Sequence, residues 1–277
     1  MSDMTPEPTS TGTARALRTA VVTGAGSGIG RAIALKLATD GFVVAALDIS
    51  EDAASATCQL IARTGDVDAS AFRCDVTSEA DVMAALSDVR VRCGPIGVLV
   101  NSAGVACGPG LPFMNNTEAD WDRVLAVNVK GMFFAAKAAS ADMIAAGDGR
   151  IVNVSSIVGV IHAPFMPPYS VSKAAVNSLT KVMARDLAPN GVTVNAVCPG
   201  YVWTPMWDGV GTSMTGKTGG GEGRTPREIF EDRIRTLVPM KREQSPEDVA
   251  ALVSFLCSTA ARNITGQIIG VDGGVTI

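Results

Sequence analysis

Ala20-Val21-Val22-Thr23-Gly24-Ala25-Gly26-Ser27-Gly28-Ile29-Gly30 decides the fold of this chain. A short apolar strand runs into a glycine-rich turn, and residues 31–39 continue as a helix carrying Ile33, Leu35 and Leu37 among small residues. Glycines let a backbone turn sharply and approach a pyrophosphate, whose charge is favoured at a helix N-terminus. The spacing is TGxxxGxG, so Gly24, Gly28 and Gly30 are the glycines that matter, with Ser27 and Ile29 between them as further candidate contacts. Alone, such a turn is weak evidence, because a plain strand-to-helix connection also uses it.

The same alternation continues outward. Residues 42–47 form a continuous apolar run ended by Asp48, as expected of a buried strand. Residues 51–63 read as a helix, and 71–74 as a strand closed by Asp75. Residues 78–92 carry Val82, Leu86 and Val89 at helical spacing, with Ser78 placed to cap them. Strands follow at 98–100, 151–154, 192–197 and 267–271, and helices at 121–145, 169–187 and 246–257, the last capped by Ser245. Strands alternating with helices predict an α/β fold: a single doubly wound Rossmann-type domain, with a parallel sheet of about seven strands and helices on both faces. The domain is expected over 16–277, after a disordered tail at 1–15 rich in Thr, Ser, Pro and Glu. Residues 209–225, with glycine at 209, 211, 216, 219, 220, 221 and 223, read as a mobile loop within a substrate lid at about 206–240.

Composition narrows the function classes. Of 277 residues, 47% are apolar but only 5% aromatic, which suits the aliphatic core of buried parallel strands. Net charge is −4 and no basic stretch interleaves with aromatics, so nucleic acid is not an expected partner. No apolar run reaches the length that spans a bilayer, so no membrane is expected either. The six cysteines are scattered without a CxxC pair, which reads as reduced thiols in a cytoplasmic protein. His162 is the only histidine, so no metal site is expected, and His162 reads as a plain surface residue before a pocket residue.

Asp48 closes the second strand eighteen residues after Gly30, near the roughly 20 expected for an acid that binds ribose hydroxyls. A carboxylate there repels a 2′-phosphate, and the positions that would carry a compensating base hold Ser27 and Ile49. The expected cofactor is NAD. Tyr169-Ser170-Val171-Ser172-Lys173 places a phenol and an amine at i and i+4, on one face if the segment is helical, with Ser156 thirteen residues upstream. Tyrosine is a poor base, with a reference pKa of about 10, and lowering it by about three units takes roughly 4 kcal/mol of preferential anion stabilisation. A nearby ammonium and an oxidised nicotinamide are enough to supply that in a partly dry cleft.

Taken in order, these residues resemble a classical short-chain dehydrogenase/reductase from about residue 18 to residue 277. The motifs are Thr23 to Gly30, Asp75-Val76, Asn101-Ser102-Ala103-Gly104 (a mild departure from Asn-Asn-Ala-Gly), Asn128 to Gly131, Ile151 to Ser156, Tyr169 to Lys173, Pro199-Gly200 and Val271-Asp272-Gly273-Gly274. The resemblance implies that Tyr169 transfers the proton, that Lys173 lowers its pKa and binds the nicotinamide ribose, and that Ser156 holds the substrate oxygen. It implies that Asn128 organises a relay water with Lys173, the competing reading being a helix-bending polar residue. Asp75, Val76, Asn101, Ala103, Gly104, Pro199, Gly200, Val202 and Thr204 are then cofactor contacts, and Ser155 is a structural strand-end residue. The implied reaction is NAD-dependent interconversion of a secondary alcohol and a ketone, and the implied assembly a homotetramer packed through helices near 121–145 and 169–187.

The substrate is less sharply marked. Residues 198–207 and 184–189 are similar to segments of acetoin/butanediol and polyol dehydrogenases. Pro164, Phe165, Met166, Pro167, Pro168, Trp203, Met206 and Trp207 are expected to form an apolar pocket wall suited to a small diol, a polyol or an alicyclic alcohol. A 3-oxoacyl-[carrier protein] reductase-like enzyme and a non-catalytic dinucleotide sensor are the alternatives. Asp48 weighs against the first, and the retained tyrosine and lysine against the second.

Overall fold

The computed structural model describes residues 19–65, 67–106, 113–163, 165–215 and 223–277. The expected tail, Pro164, Cys107 and part of the glycine-rich segment lie outside the described residues.

Seven parallel strands make one sheet: β1 (Thr19–Thr23), β2 (Val43–Asp48), β3 (Ala69–Arg73), β4 (Ile96–Asn101), β5 (Gly149–Val154), β6 (Val192–Pro199) and β7 (Ile268–Val271). Their order is β3-β2-β1-β4-β5-β6-β7. Successive side chains of a strand point to opposite faces, and here both faces are covered. Ala20 and Val22 of β1, with Val98 and Val100 of β4, join one core cluster. Val21 and Leu99 join the other. Most positions of a central strand are therefore apolar, with Arg150, Asn153, Asn195 and Thr193 among the buried exceptions, the first three hydrogen-bonded through their side chains; each fully buried Val or Leu contributes about 1.5–3 kcal/mol.

Helices α1 (Gly28–Thr39) and α2 (Glu51–Ala62) cover the first face together with α10 (Pro246–Cys257). The second is covered by α3 (Glu79–Cys93), α5 (Met132–Ala146) and α7 (Pro167–Leu187). The expected caps are present: Ser78 accepts from Asp81 N, and Ser245 forms a capping box with Asp248.

The helix expected over 121–145 is interrupted. It runs as α4 (Glu118–Leu125), a π-helical turn over Ala126–Gly131, then α5. The combined stretch of 29 residues is long and apolar enough to cross a membrane by length and composition, contrary to the sequence expectation. In this fold Ala135, Ala136, Ala139 and Met143 bury that helix against the sheet.

The expected loop at 209–225 departs from the structure at its start, residues 209–214. Pro205–Met214 is a helix, α8, capped by Thr204, despite Gly209 and Gly211. Thr225 is the N-cap of a further helix, α9 (Pro226–Leu237), with a capping box to Glu228. Gly211 is buried where α8 meets α9; a Cβ on it would lie 2.7 Å from the Pro226 Cβ. Tertiary packing overrides the low helix propensity of glycine there.

Candidate active site

The sheet order reverses between β1 and β4, which opens a crevice at the strand C-termini, where open α/β sheets bind ligands. The turn after β1 and the segment after β4 meet there. Gly24 has φ +67°, and a Cβ on it would lie 2.8 Å from the Ala103 Cα. A side chain on Gly30 would run into the Gly24 carbonyl. Thr23 Oγ1 accepts from Ser102 N (3.1 Å) and Ala103 N (3.2 Å), tying the two strand ends together.

A cavity of about 630 Å³ follows this crevice, within the usual range for ligand sites. It runs from Asp48, Ile49 and Asp75 past Gly24, Ser27, Gly28, Ile29 and Gly30 to Ser156, Tyr169 and Lys173, and ends among Phe165, Met166, Met206 and Trp207. Val76, Ala103, Gly104, Pro199, Gly200, Val202 and Thr204 also line it. The glycine turn, the acid at the end of β2 and the length of the crevice fit a dinucleotide. Asp48 already has two backbone donors, Gly26 N to Oδ2 (2.9 Å) and Ser50 N to Oδ1 (3.1 Å). An ionised carboxylate has about four acceptor sites, so capacity remains for ribose hydroxyls. Thr77 donates twice to Asp75, which holds that carboxyl below its ordinary range.

Helix α7 brings the phenol and the amine together. Pro167 and Pro168 start the helix, where a missing N–H costs little. Tyr169 and Lys173 are both buried, with the Lys173 Nζ 5.5 Å from the tyrosine ring centroid. Its ammonium donates to the Val154 carbonyl at 2.8 Å. The Ser156 side chain hydrogen-bonds Tyr169, and Ser155 Oγ donates to the Lys173 carbonyl at 3.2 Å, a strand-end role.

Electrostatically the pair departs from the sequence expectation. Burial pushes Tyr169 up to about 12, only partly offset by the Ser156 hydrogen bond. Burial likewise pushes Lys173 down to about 8. Taking either group out of water disfavours its charged form, so the protein alone holds both toward neutrality, and the lowered phenol pKa is not intrinsic to it.

Asn101 and Asn128 line a smaller neighbouring cavity with Lys173, not the main one. The Asn128 side chain is committed: Oδ1 accepts from Val105 N (2.9 Å), and Nδ2 donates to Val105 O (3.0 Å) and Ser172 Oγ (3.0 Å). It sits in the π-helical turn, which fits the helix-bending reading. Asn101 Nδ2 donates to Asn153 Oδ1 between β4 and β5 (2.9 Å). Trp203 does not line the cavity either. Its ring packs on Phe230 (centroids 5.1 Å apart) beneath the Arg227 guanidinium (5.1 Å). His162 is exposed at the end of a short helix, α6 (Val158–Ile161), with φ +55°. None of the five described cysteines is in a disulfide. Sequence reasoning missed Arg123, which also lines the cavity. A lone exposed arginine on a polar helix carries no sequence signal.

A family model described as enoyl-(acyl carrier protein) reductase matches residues 24–276. The chain belongs to the classical short-chain dehydrogenase/reductase family. A short-chain dehydrogenase/reductase of Armillaria gallica is 39% identical over 264 residues, covering 93% of this chain and 95% of that one. An L-2,3-butanediol dehydrogenase of Corynebacterium glutamicum is 38% identical over 261 residues, covering 93% and 98%. The crystal structure of levodione reductase superposes with a TM-score of 0.86 at 32% identity, covering 94% of this chain and 97% of that one. The protein is thus an oxidoreductase of the dehydrogenase/reductase type acting on CH–OH groups.

Proposed function

We propose that this short-chain dehydrogenase/reductase interconverts a secondary alcohol and a ketone with NAD, on a small diol, polyol or alicyclic alcohol. The observation that carries the proposal is that Ser156, Tyr169 and Lys173 share one cavity with the glycine turn and Asp48. Bound NAD supplies the hydride acceptor and a positive ring beside the phenol. Ser156 and Tyr169 hold the alcohol oxygen by hydrogen bonds. Tyr169 takes the hydroxyl proton as the carbon–hydrogen bond breaks, and returns it in reduction; such acid–base help is worth about 10²–10⁴-fold. Lys173 holds its proton near the phenol, positioned by the Val154 carbonyl, and Asn128 fixes the 105 backbone beside it. The apolar wall of Phe165, Met166, Met206 and Trp207 supports a compact substrate. The butanediol dehydrogenase and levodione reductase likenesses support the same class.

Asp48 supports NAD over NADP. The proposal extends to a cytoplasmic homotetramer, supported by exposed apolar side chains on α5 (Phe133, Ile144) and α7 (Val171, Val182). The test is cofactor reduction over a panel of diols, polyols and cyclic alcohols with NAD and NADP, in wild type and Asp48→Asn. Wild type is expected to reduce NAD on at least one alcohol, and Asp48→Asn to narrow the NAD preference by about 10-fold or more, the loss of one charge-assisted contact. NAD binding without turnover on any alcohol would favour a dinucleotide sensor. An unchanged cofactor ratio removes the role given to Asp48.

A further inference from the structure

Arg233 on α9 is the arginine of the lid whose charge is left over. Arg227 pairs with Glu231 and Glu243 (2.8 Å each), Arg224 with Asp232 (3.5 Å), and Arg235 with Asp232. Arg233 has no carboxylate partner among the described residues. Its Nε is buried with no acceptor. Its one hydrogen-bond contact runs from Nη2 to the Met214 sulfur at 3.7 Å, and a thioether is a weak acceptor. The guanidinium lies over the Phe165 ring, 5.0 Å from its centroid. Phe165 lines the cavity, and Phe165, Met214 and Tyr169 belong to one apolar cluster. A half-buried guanidinium with an unmet donor therefore stands one side chain behind the substrate wall.

Covering Phe165 explains the stacking but not the choice of a cation. Arg offers five donors in a planar fork suited to carboxylate or phosphate oxygens, and leaving a buried charged donor unmet is costly. Leaving the ring forfeits a cation–π contact, and a charge-assisted hydrogen bond to an oxyanion takes its place. The cationic residues lining the cavity are Lys173, at the reacting end, and Arg123 on α4. The apolar wall at Phe165 thus has a reserve cation behind it on α9.

We propose that Arg233 is a specificity residue that pairs with an oxyanion at the far end of the substrate, so that the preferred alcohol is amphipathic: a carbinol at Tyr169, an apolar middle along Phe165, and a carboxylate, sulfonate or phosphate under α9. This rests on the alcohol-dehydrogenase reading above. The probe is a matched pair, 5-hydroxyhexanoate and hexan-2-ol, in which a terminal carboxylate replaces a methyl group. Steady-state kinetics with NAD compare wild type, Arg233→Met and Arg233→Lys. Wild type is expected to favour the hydroxy acid in kcat/KM by about 10- to 100-fold, the range of one charge-assisted hydrogen bond. Arg233→Met is expected to erase that preference through the KM of the acid, while changing kcat/KM for hexan-2-ol by less than about 3-fold. Arg233→Lys, which keeps the charge and guards against a folding defect, is expected to restore part of it. Turnover of hexan-2-ol with no advantage for the acid, or an equal loss on both substrates in Arg233→Met, overturns the inference and leaves the dehydrogenase reading standing. Oxidation of neither by wild type overturns the inference, while the dehydrogenase reading stands or falls on the diol, polyol and cyclic-alcohol panel.

Discussion

Tyr169 and Lys173 sit one helical turn apart on α7, and burial drives both toward their neutral forms. This has a consequence for stability. Lys173 titrates near 8 in the folded protein against an ordinary 10.5, so between those values the unfolded chain binds the additional proton. Stability contributed at this position therefore rises with pH through that window and is lowest below it. Relative to Lys173→Met, wild type should gain about 2 kcal/mol between about pH 7 and about pH 9.5, at about 1.36 kcal/mol per pKa unit. Urea unfolding of both proteins at the two pH values checks it; a flat or falling difference would mean that the amine is not held toward neutrality. The phenol–amine spacing and the Ser156 offset were legible in the sequence, because covalent spacing along a helix fixes them. The direction of the shifts was not, because desolvation is set by neighbours such as Val154 and Ser155 that fold in from β5. The same holds for the Asn101 amide nitrogen, which donates to Asn153, and for Asn128, whose side chain is taken up by Val105 and Ser172.

At the scale of elements, the strands were readable because a strand buried on both faces is mostly apolar, and the glycine turn because Gly24 and Gly30 admit no side chain. The start of the expected loop, residues 209–214, is a helix instead. Glycines at 209 and 211 resembled a loop, yet α8 forms because Gly211 lets Pro226 approach closely. Two signals were present and passed over: Thr204-Pro205 and Thr225-Pro226-Arg227-Glu228, each an N-cap followed by proline at the first helical position, the second completed as a capping box. The α8–α9 contact yields a prediction. Gly211→Ala should force the two helices apart and raise the substrate KM several-fold, while leaving the Kd for NAD within about 2-fold; overpacking of this kind costs typically about 1–3 kcal/mol. Alanine otherwise favours a helix by about 1 kcal/mol over glycine. An unchanged KM with a raised melting temperature would show that the contact does not shape the substrate site.

For the whole molecule, the β3-β2-β1-β4-β5-β6-β7 order puts the cofactor turn and the α7 pair at one end of the sheet, and leaves apolar side chains of α5 and α7 exposed. That order was not legible in the sequence, since strand spacing alone does not fix which strands are neighbours. If those faces pack between subunits, light scattering at micromolar concentration should give four times the chain mass of 28.4 kDa, and charged substitutions at Phe133 and Val182 should lower it; a wild-type monomer would count against the assembly. The account as a whole depends on hydride passing directly from the carbinol carbon to NAD under control of Tyr169. The direct measurement uses a substrate alcohol deuterated at that carbon, with wild type and Tyr169→Phe, and reads the reduced cofactor by mass spectrometry. Deuterium should appear in the reduced cofactor with wild type, and Tyr169→Phe should turn over at least about 100-fold more slowly while still binding NAD. Reduced cofactor without the label, or a Tyr169→Phe enzyme near wild-type rate, would contradict the mechanism.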